Sequence, residues 1–159
     1  MSTLAETAPA FVAMAHKIVW CTVATVDPDG RPRTRILHPI WEWDGERLHG
    51  WIATGRTPIK AAGLDAMPHV SLTYWDDSHD TCTAECEVSW IEPDEKEALW
   101  DRFATAPAPV GYDPAIIPPW ADGPTSPAFD GLVLEPLRLR VMDGTMMLTG
   151  QGELLTWRA

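Results

Sequence analysis

The chain has 159 residues and a mass of 17.6 kDa, a length that one domain spanning 1–159 accommodates with a real core. Its 12 basic and 23 acidic side chains give a net charge of −11, which argues against a nucleic-acid binder or an anionic-membrane binder, and a hydrophobic fraction of 45% argues against disorder. No apolar run reaches the roughly 18 residues of a membrane span, residues 1–16 lack the pattern of a signal peptide, and three cysteines imply no disulfide framework, so a cytoplasmic protein is expected. Residues 3–16 mix alanine with apolar residues and predict a short helix. Ile18 to Val26 is rich in Val, Ile, Thr and Trp and reads as a strand. Asp27-Pro28-Asp29-Gly30 is a turn, and Arg31 to Trp43 reads as the return strand of a hairpin. Asp44-Gly45 marks a second hairpin turn, followed by a strand over 47–54.

Thr57 suits a helix N-cap and Pro58 its first position, so a helix is expected through Lys60 and Leu64, ending before Pro68. His69 to Trp75 is the next strand, and 76–80 an acidic loop. Thr81 to Ile91 alternates most regularly: Cys82, Ala84, Cys86, Val88 and Trp90 share one face, opposite Thr81, Thr83, Glu85, Glu87 and Ser89. Pro93 opens a helix whose apolar stripe is Leu99, Trp100 and Phe103. Residues 104–130 hold seven of the fifteen prolines and predict a long loop anchored by Tyr112, Ile116, Ile117, Trp120 and Phe129; such loops are often lids or partner surfaces. Strands over 132–142 and 145–157, around Asp143-Gly144, close the chain. The fold class is mainly β, with six to seven antiparallel strands forming a barrel and two or three short peripheral helices.

The charge is uneven. Residues 31–60 carry six basic side chains against three acidic ones, so this stretch is +3 and the remainder −14. One reading is a solvated strand face; the other is a site for a small anion. On a strand Arg33 and Arg35 fall on one face, while Thr54, Thr57 and Lys60 gather at a strand end and the helix start after it. Neither G-x-x-x-x-G-K nor G-x-G-x-x-G occurs, which disfavours nucleotide hydrolysis and a Rossmann site.

The ordered set D-P-D-G-R-P-R-T-R, A-T-G-R-T-P-I-K-A-A-G-L-D-A-M-P and Y-W-D-D, interleaved with strands, resembles the pyridoxamine 5'-phosphate oxidase-like FMN-binding split β-barrel superfamily, nearest its flavin/deazaflavin oxidoreductases. The resemblance covers roughly residues 18–103, with weaker support over 129–157. It implies a split barrel, a homodimer with FMN at the subunit interface, or the deazaflavin coenzyme F-420 in its place, and a small organic substrate. It places Arg35 and Lys60 on the cofactor phosphate and Thr54 against the cofactor. Ile36, Leu37 and His38 fall on the strand whose backbone faces the ring. Thr81 matches a flavin-contacting Gln that reaches over from the partner subunit. Ile40 and Ile59 stand where the oxidase has a Lys and an Arg, which weakens FMN relative to a deazaflavin. The C-terminal Arg-x-His of the oxidase has no counterpart, so oxidation of pyridoxamine phosphate is not expected.

Other features read as structural. His79, Cys82 and Cys86 fit no zinc spacing, Cys21 has no base placed by sequence, and Asp76, Asp77 and Asp80 read as a solvated turn, so no metal is expected. Trp41, Trp43, Trp51 and Trp75 are divided between the ring pocket and the core or interface. The leading function is hydride or electron transfer on a small organic substrate, with no catalytic acid or base assigned. The alternatives are a non-catalytic carrier of flavin, deazaflavin or haem and a barrel for another small acidic ligand.

Overall fold

The computed structural model describes residues 1–159. Helix α1 (Leu4–Ile18) is followed by strands β1 (Cys21–Val26), β2 (Pro32–Leu37), β3 (Pro39–Trp43) and β4 (Leu48–Ala53). Then come α2 (Pro58–Ala66), β5 (His69–Trp75), β6 (Thr81–Trp90), α3 (Lys96–Thr105), β7 (Gly131–Met142), α4 (Gly144–Thr149) and β8 (Leu154–Arg158). Every strand pairing is antiparallel, in the order β2-β1-β5-β6-β7-β4-β3, and β8 lies on the far part of β7. The architecture is therefore mainly β, as expected. The sheet does not close: β2 and β3 end the path without pairing to one another. It is a split barrel, as the resemblance implies, built from eight strands.

Two stretches fold differently from the reading of the sequence. The return strand over 31–43 is two strands, because His38–Pro39 breaks it; proline has no N–H for the ladder. The stretch after Asp143 is not a hairpin strand from its start. The Asp143 carboxylate accepts from the Met146 N–H at 2.6 Å and caps α4, and only Leu154–Arg158 is strand.

The regular alternation of β6 holds: Cys82, Ala84, Cys86 and Val88 are buried and their neighbours are not. β6 carries the longest ladder, with β5 on one side and β7 on the other, interrupted by a bulge at Glu85/Cys86. Helix α1 begins with a capping box between Thr3 and Glu6, and its buried Ala8, Phe11 and Ala15 form one stripe. Phe11 meets Trp41 edge-on at 4.9 Å and Tyr74 at 6.2 Å. Burying side chains of this size stabilises by roughly 1.5–3 kcal/mol each. The Trp41 indole N–H donates to the Tyr74 hydroxyl at 2.8 Å, so the polar atoms of both rings are matched inside the core. A second, smaller core joins Ile40, Ile91, Leu99 and Phe103 to Val110, Trp120 and Phe129 of the proline-rich segment. That segment is thereby a packed strap.

Candidate functional site

The end of β4 and the start of α2 lie beside β2. Thr57 is the N-cap of α2 and Pro58 its first residue, as the sequence implies, although the Thr57 side chain makes no capping bond and is exposed. Lys60, one turn into α2, donates to the Thr54 hydroxyl and to the Gly55 carbonyl, the latter at 2.9 Å. Thr54 is 5% exposed, its N–H held by the Asp130 carbonyl at 2.9 Å. On β2, Arg35 donates to the Thr25 hydroxyl at 3.1 Å. Burial lowers the pKa of Lys60 and of Arg35. The Arg35 charge lowers that of Lys60 further, against an opposing pull from Asp130. Neither cation has a carboxylate within ion-pairing distance. Two half-buried cations that repel each other and lack an ion-paired carboxylate leave positive charge uncompensated at this strand end.

Arg33 is not free to join them. Its guanidinium is bound to Asp27 at 3.0 Å, and the Asp27 side chain is itself 8% exposed. Thr81 also stands apart within one chain. It pairs with Trp75 and Met142, and its hydroxyl donates to the His79 carbonyl at 3.3 Å. Both β5 and β1 lie between it and β2.

Thr54 also lines a chamber of about 470 Å³, where Ile36, Leu37 and His38 form the barrel wall together with Val19 and Trp20. The strap supplies the opposite wall: Pro109, Tyr112, Ile116, Ile117 and Trp120. Its Trp120 indole donates to the Ala128 carbonyl at 3.0 Å, and the Tyr112 N–H donates to the Phe103 carbonyl at 3.0 Å. The His38 ring packs against Trp20, Phe103 and Tyr112 at centroid distances of 5.1, 5.9 and 5.2 Å. Its Nε2 is buried without a hydrogen bond. Burial chiefly lowers the His38 pKa; the nearby Val110 carbonyl opposes this and His16 adds to it. Burial pushes the Tyr112 hydroxyl up to about 12.

Of the nine residues singled out in the sequence, Ile36, Leu37, His38 and Thr54 share the chamber, and Arg35 and Lys60 flank it. The strap side was seen in the sequence only as a loop with aromatic anchors. None of Trp41, Trp43, Trp51 and Trp75 lines the chamber; Trp20 and Trp120 do. Trp41 is core, Trp51 lies 3.7 Å beneath the Arg102 guanidinium and Trp75 is exposed. Ile40 is buried in the smaller core, and Ile59 is exposed on α2. No group of three or more His, Cys, Asp or Glu side chains is placed to hold a metal, and no helix is long and apolar enough to cross a membrane.

An open antiparallel barrel, with a cation pair at one strand end beside an apolar chamber, is the architecture of the split barrels. The pyridoxamine 5'-phosphate oxidase family model matches residues 7–143, and the chain belongs to that family. Solved structures share the fold at low identity. A protein related to general stress protein 26, of the pyridoxinephosphate oxidase family, from Clostridium acetobutylicum superposes with a TM-score of 0.69 at 14% identity, over 92% of this chain and 89% of that one. A pyridoxamine 5'-phosphate oxidase-related, FMN-binding protein from Nostoc punctiforme gives 0.64 at 14% identity, over 100% and 97%. A structure described as an F420 reductase gives 0.54 at 19% identity, over 81% and 94%. No curated protein matches the chain.

Proposed function

We propose that the protein binds FMN, or the deazaflavin coenzyme F-420, and is an oxidoreductase that transfers hydride or electrons to or from a small organic substrate. The observation that carries this reading is the pair Arg35 and Lys60, half-buried, without a carboxylate partner and flanking an apolar chamber. Family membership supports it, as do fold relatives described as FMN-binding and as an F420 reductase. The bound cofactor would supply the redox chemistry. Arg35 and Lys60 would hold its phosphate, with Thr54 fixing the Lys60 ammonium by accepting from it. Ile36 and Leu37 on the barrel wall would give a flat ring an apolar surface. The absence of further cations at Ile40 and Ile59 favours the deazaflavin over FMN.

The active unit would be a cytoplasmic homodimer. Thr81 lies outside its own chain's chamber and would serve only a neighbouring copy's site. The exposed Trp20, Ile36 and Ile116 give the chamber rim an apolar surface suited to an interface.

The deciding experiment is the absorption spectrum of the purified protein, followed by titration with FMN and with F-420. Binding of one of them is expected; binding of neither overturns the reading. Light scattering of the loaded protein at the 17.6 kDa of one chain would remove the dimer. Turnover with the reduced cofactor separates an enzyme from a carrier.

A further inference from the structure

The chamber is within the volume range of small-molecule sites, and its polar groups are few. No lysine, arginine or carboxylate lines it; Arg35 and Lys60 stand outside, beyond Thr54. His38 on the barrel wall and Tyr112 on the strap stand together, their ring planes inclined by 32°. The His38 Nε2 is buried within that wall and closed to a guest, which leaves the Tyr112 hydroxyl as the donor of this ring pair. Burial keeps the imidazole uncharged and the phenol protonated near neutral pH. A carboxylate entering here would lose its hydration and find no cation in exchange, whereas a neutral guest loses little.

We propose that the chamber takes as substrate an uncharged, flat, mainly apolar molecule bearing one hydrogen-bond acceptor of the ketone or aldehyde kind, with Tyr112 donating to that acceptor, the His38 ring as part of the flat wall, and Ile117 and Trp120 limiting its size. This deepens the reading above and rests on it, because a phosphate held by Arg35 and Lys60 leaves the strap side to the substrate.

The test is calorimetric titration of the protein incubated with FMN, using three probes that share one ring system: 2-acetonaphthone, 2-isopropenylnaphthalene and 2-naphthoate. The ketone is expected to bind about threefold to tenfold more tightly than the hydrocarbon, the yield of one neutral hydrogen bond, and more tightly still than the carboxylate. Tyr112→Phe keeps the ring packing and should abolish the preference for ketone over hydrocarbon. The proposal is overturned if naphthoate binds as well as the ketone, if the preference survives in Tyr112→Phe, or if the FMN-loaded protein binds no ketone. The wild-type ranking decides the matter even if the variant fails to fold. FMN titration of wild type and variant sets the saturating concentration at which the two are compared. Its failure in the wild type would defeat the cofactor reading, while a ketone preference lost in Tyr112→Phe would still stand.

Discussion

A side-chain carbon at Gly63 would stand 3.2 Å from the Val26 carbonyl oxygen. Helix α2, which carries Lys60, therefore lies directly on the end of β1. Gly63→Val should push α2 outward. Overpacking of this kind costs about 1–3 kcal/mol, or several degrees in melting temperature for a chain of this length. It should also weaken FMN binding although every side chain of the cation pair is retained. Thermal melts and FMN titration of the variant check this; a variant indistinguishable from wild type in both would mean that α2 is not positioned by this contact.

Removing either cation should act more strongly. Hydrogen bonds to charged groups contribute about 1.5–3 kcal/mol each, so Lys60→Ala and Arg35→Ala should each weaken cofactor binding roughly tenfold or more. Arg33→Ala should change it little, since Asp27 already occupies that guanidinium. Dissociation constants from titration test the contrast, which fails if Arg33 matters as much as Lys60.

The same pair predicts a pH dependence. Burial, then Arg35, holds the Lys60 pKa below its ordinary 10.5. A bound phosphate favours the ammonium form. Affinity should therefore be full below the lowered pKa and fall as pH rises through it, starting below 10.5. Lys60→Arg, whose guanidinium stays charged, should remove the decline. Binding measured across the alkaline range settles it: a flat wild-type profile rules out the lysine.

Acid should destabilise the fold before its carboxylates titrate. Burial lowers the pKa of both His16 and His38 from 6.5, and the His16 Nε2 accepts from the Trp41 N–H at 3.0 Å, which requires a neutral ring. As pH falls below 6.5 the unfolded chain takes up protons that the folded one refuses. Stability is thus lost below 6.5, and the loss levels off at the lowered folded values. Urea unfolding at about pH 7.5 and about pH 5.5 should show the drop, and a double His16→Gln, His38→Phe variant should show less of it. Equal drops in both proteins would assign it to other groups.

All three cysteines should titrate as free thiols in denaturant without reductant, and react slowly in the native protein. Cys21, Cys82 and Cys86 are buried and unbridged. Burial pushes the Cys21 thiol up to about 12 and raises Cys82 and Cys86 as well, so little thiolate exists at neutral pH. On one strand, Cys82 and Cys86 lie roughly 13 Å apart, too far for a bond that needs about 7 Å or less. A count below three would contradict the ladder of β6.

What the sequence revealed and what it hid follow from range. The alternation of β6 and the Thr57-Pro58 helix start depend on neighbours a few positions away, and both were legible. The nearness of Arg35 to Lys60 and Thr54 was legible too, through a resemblance in their order and spacing. The Arg33–Asp27 pair spans a turn, and nothing in the alternation of β2 distinguishes Arg33 from Arg35. Asp143-Gly144 has the composition of a hairpin turn; only the carboxylate's bond to Met146 makes it a helix cap. The strap's anchors were visible as aromatic residues among prolines, but the wall they would face depends on contacts between Tyr112 and His38, 74 positions apart.

The gap between β2 and β3 also bears on solubility. A sheet that stops short of closure leaves two outer strands with unpaired backbone groups, the usual template for strand-to-strand aggregation. Here those borders carry deterrents. β2 begins at Pro32 and bears Arg33 and Arg35, and β3 begins at Pro39 and bears Glu42. The uncompensated charge of Arg35 makes the approach of a second β2 border unfavourable, and each proline deletes a donor. Arg35, which stands near Lys60 at the chamber's edge, thus also guards a free border of the sheet, so replacing it with an apolar residue should raise the tendency to aggregate as well as break the cation pair.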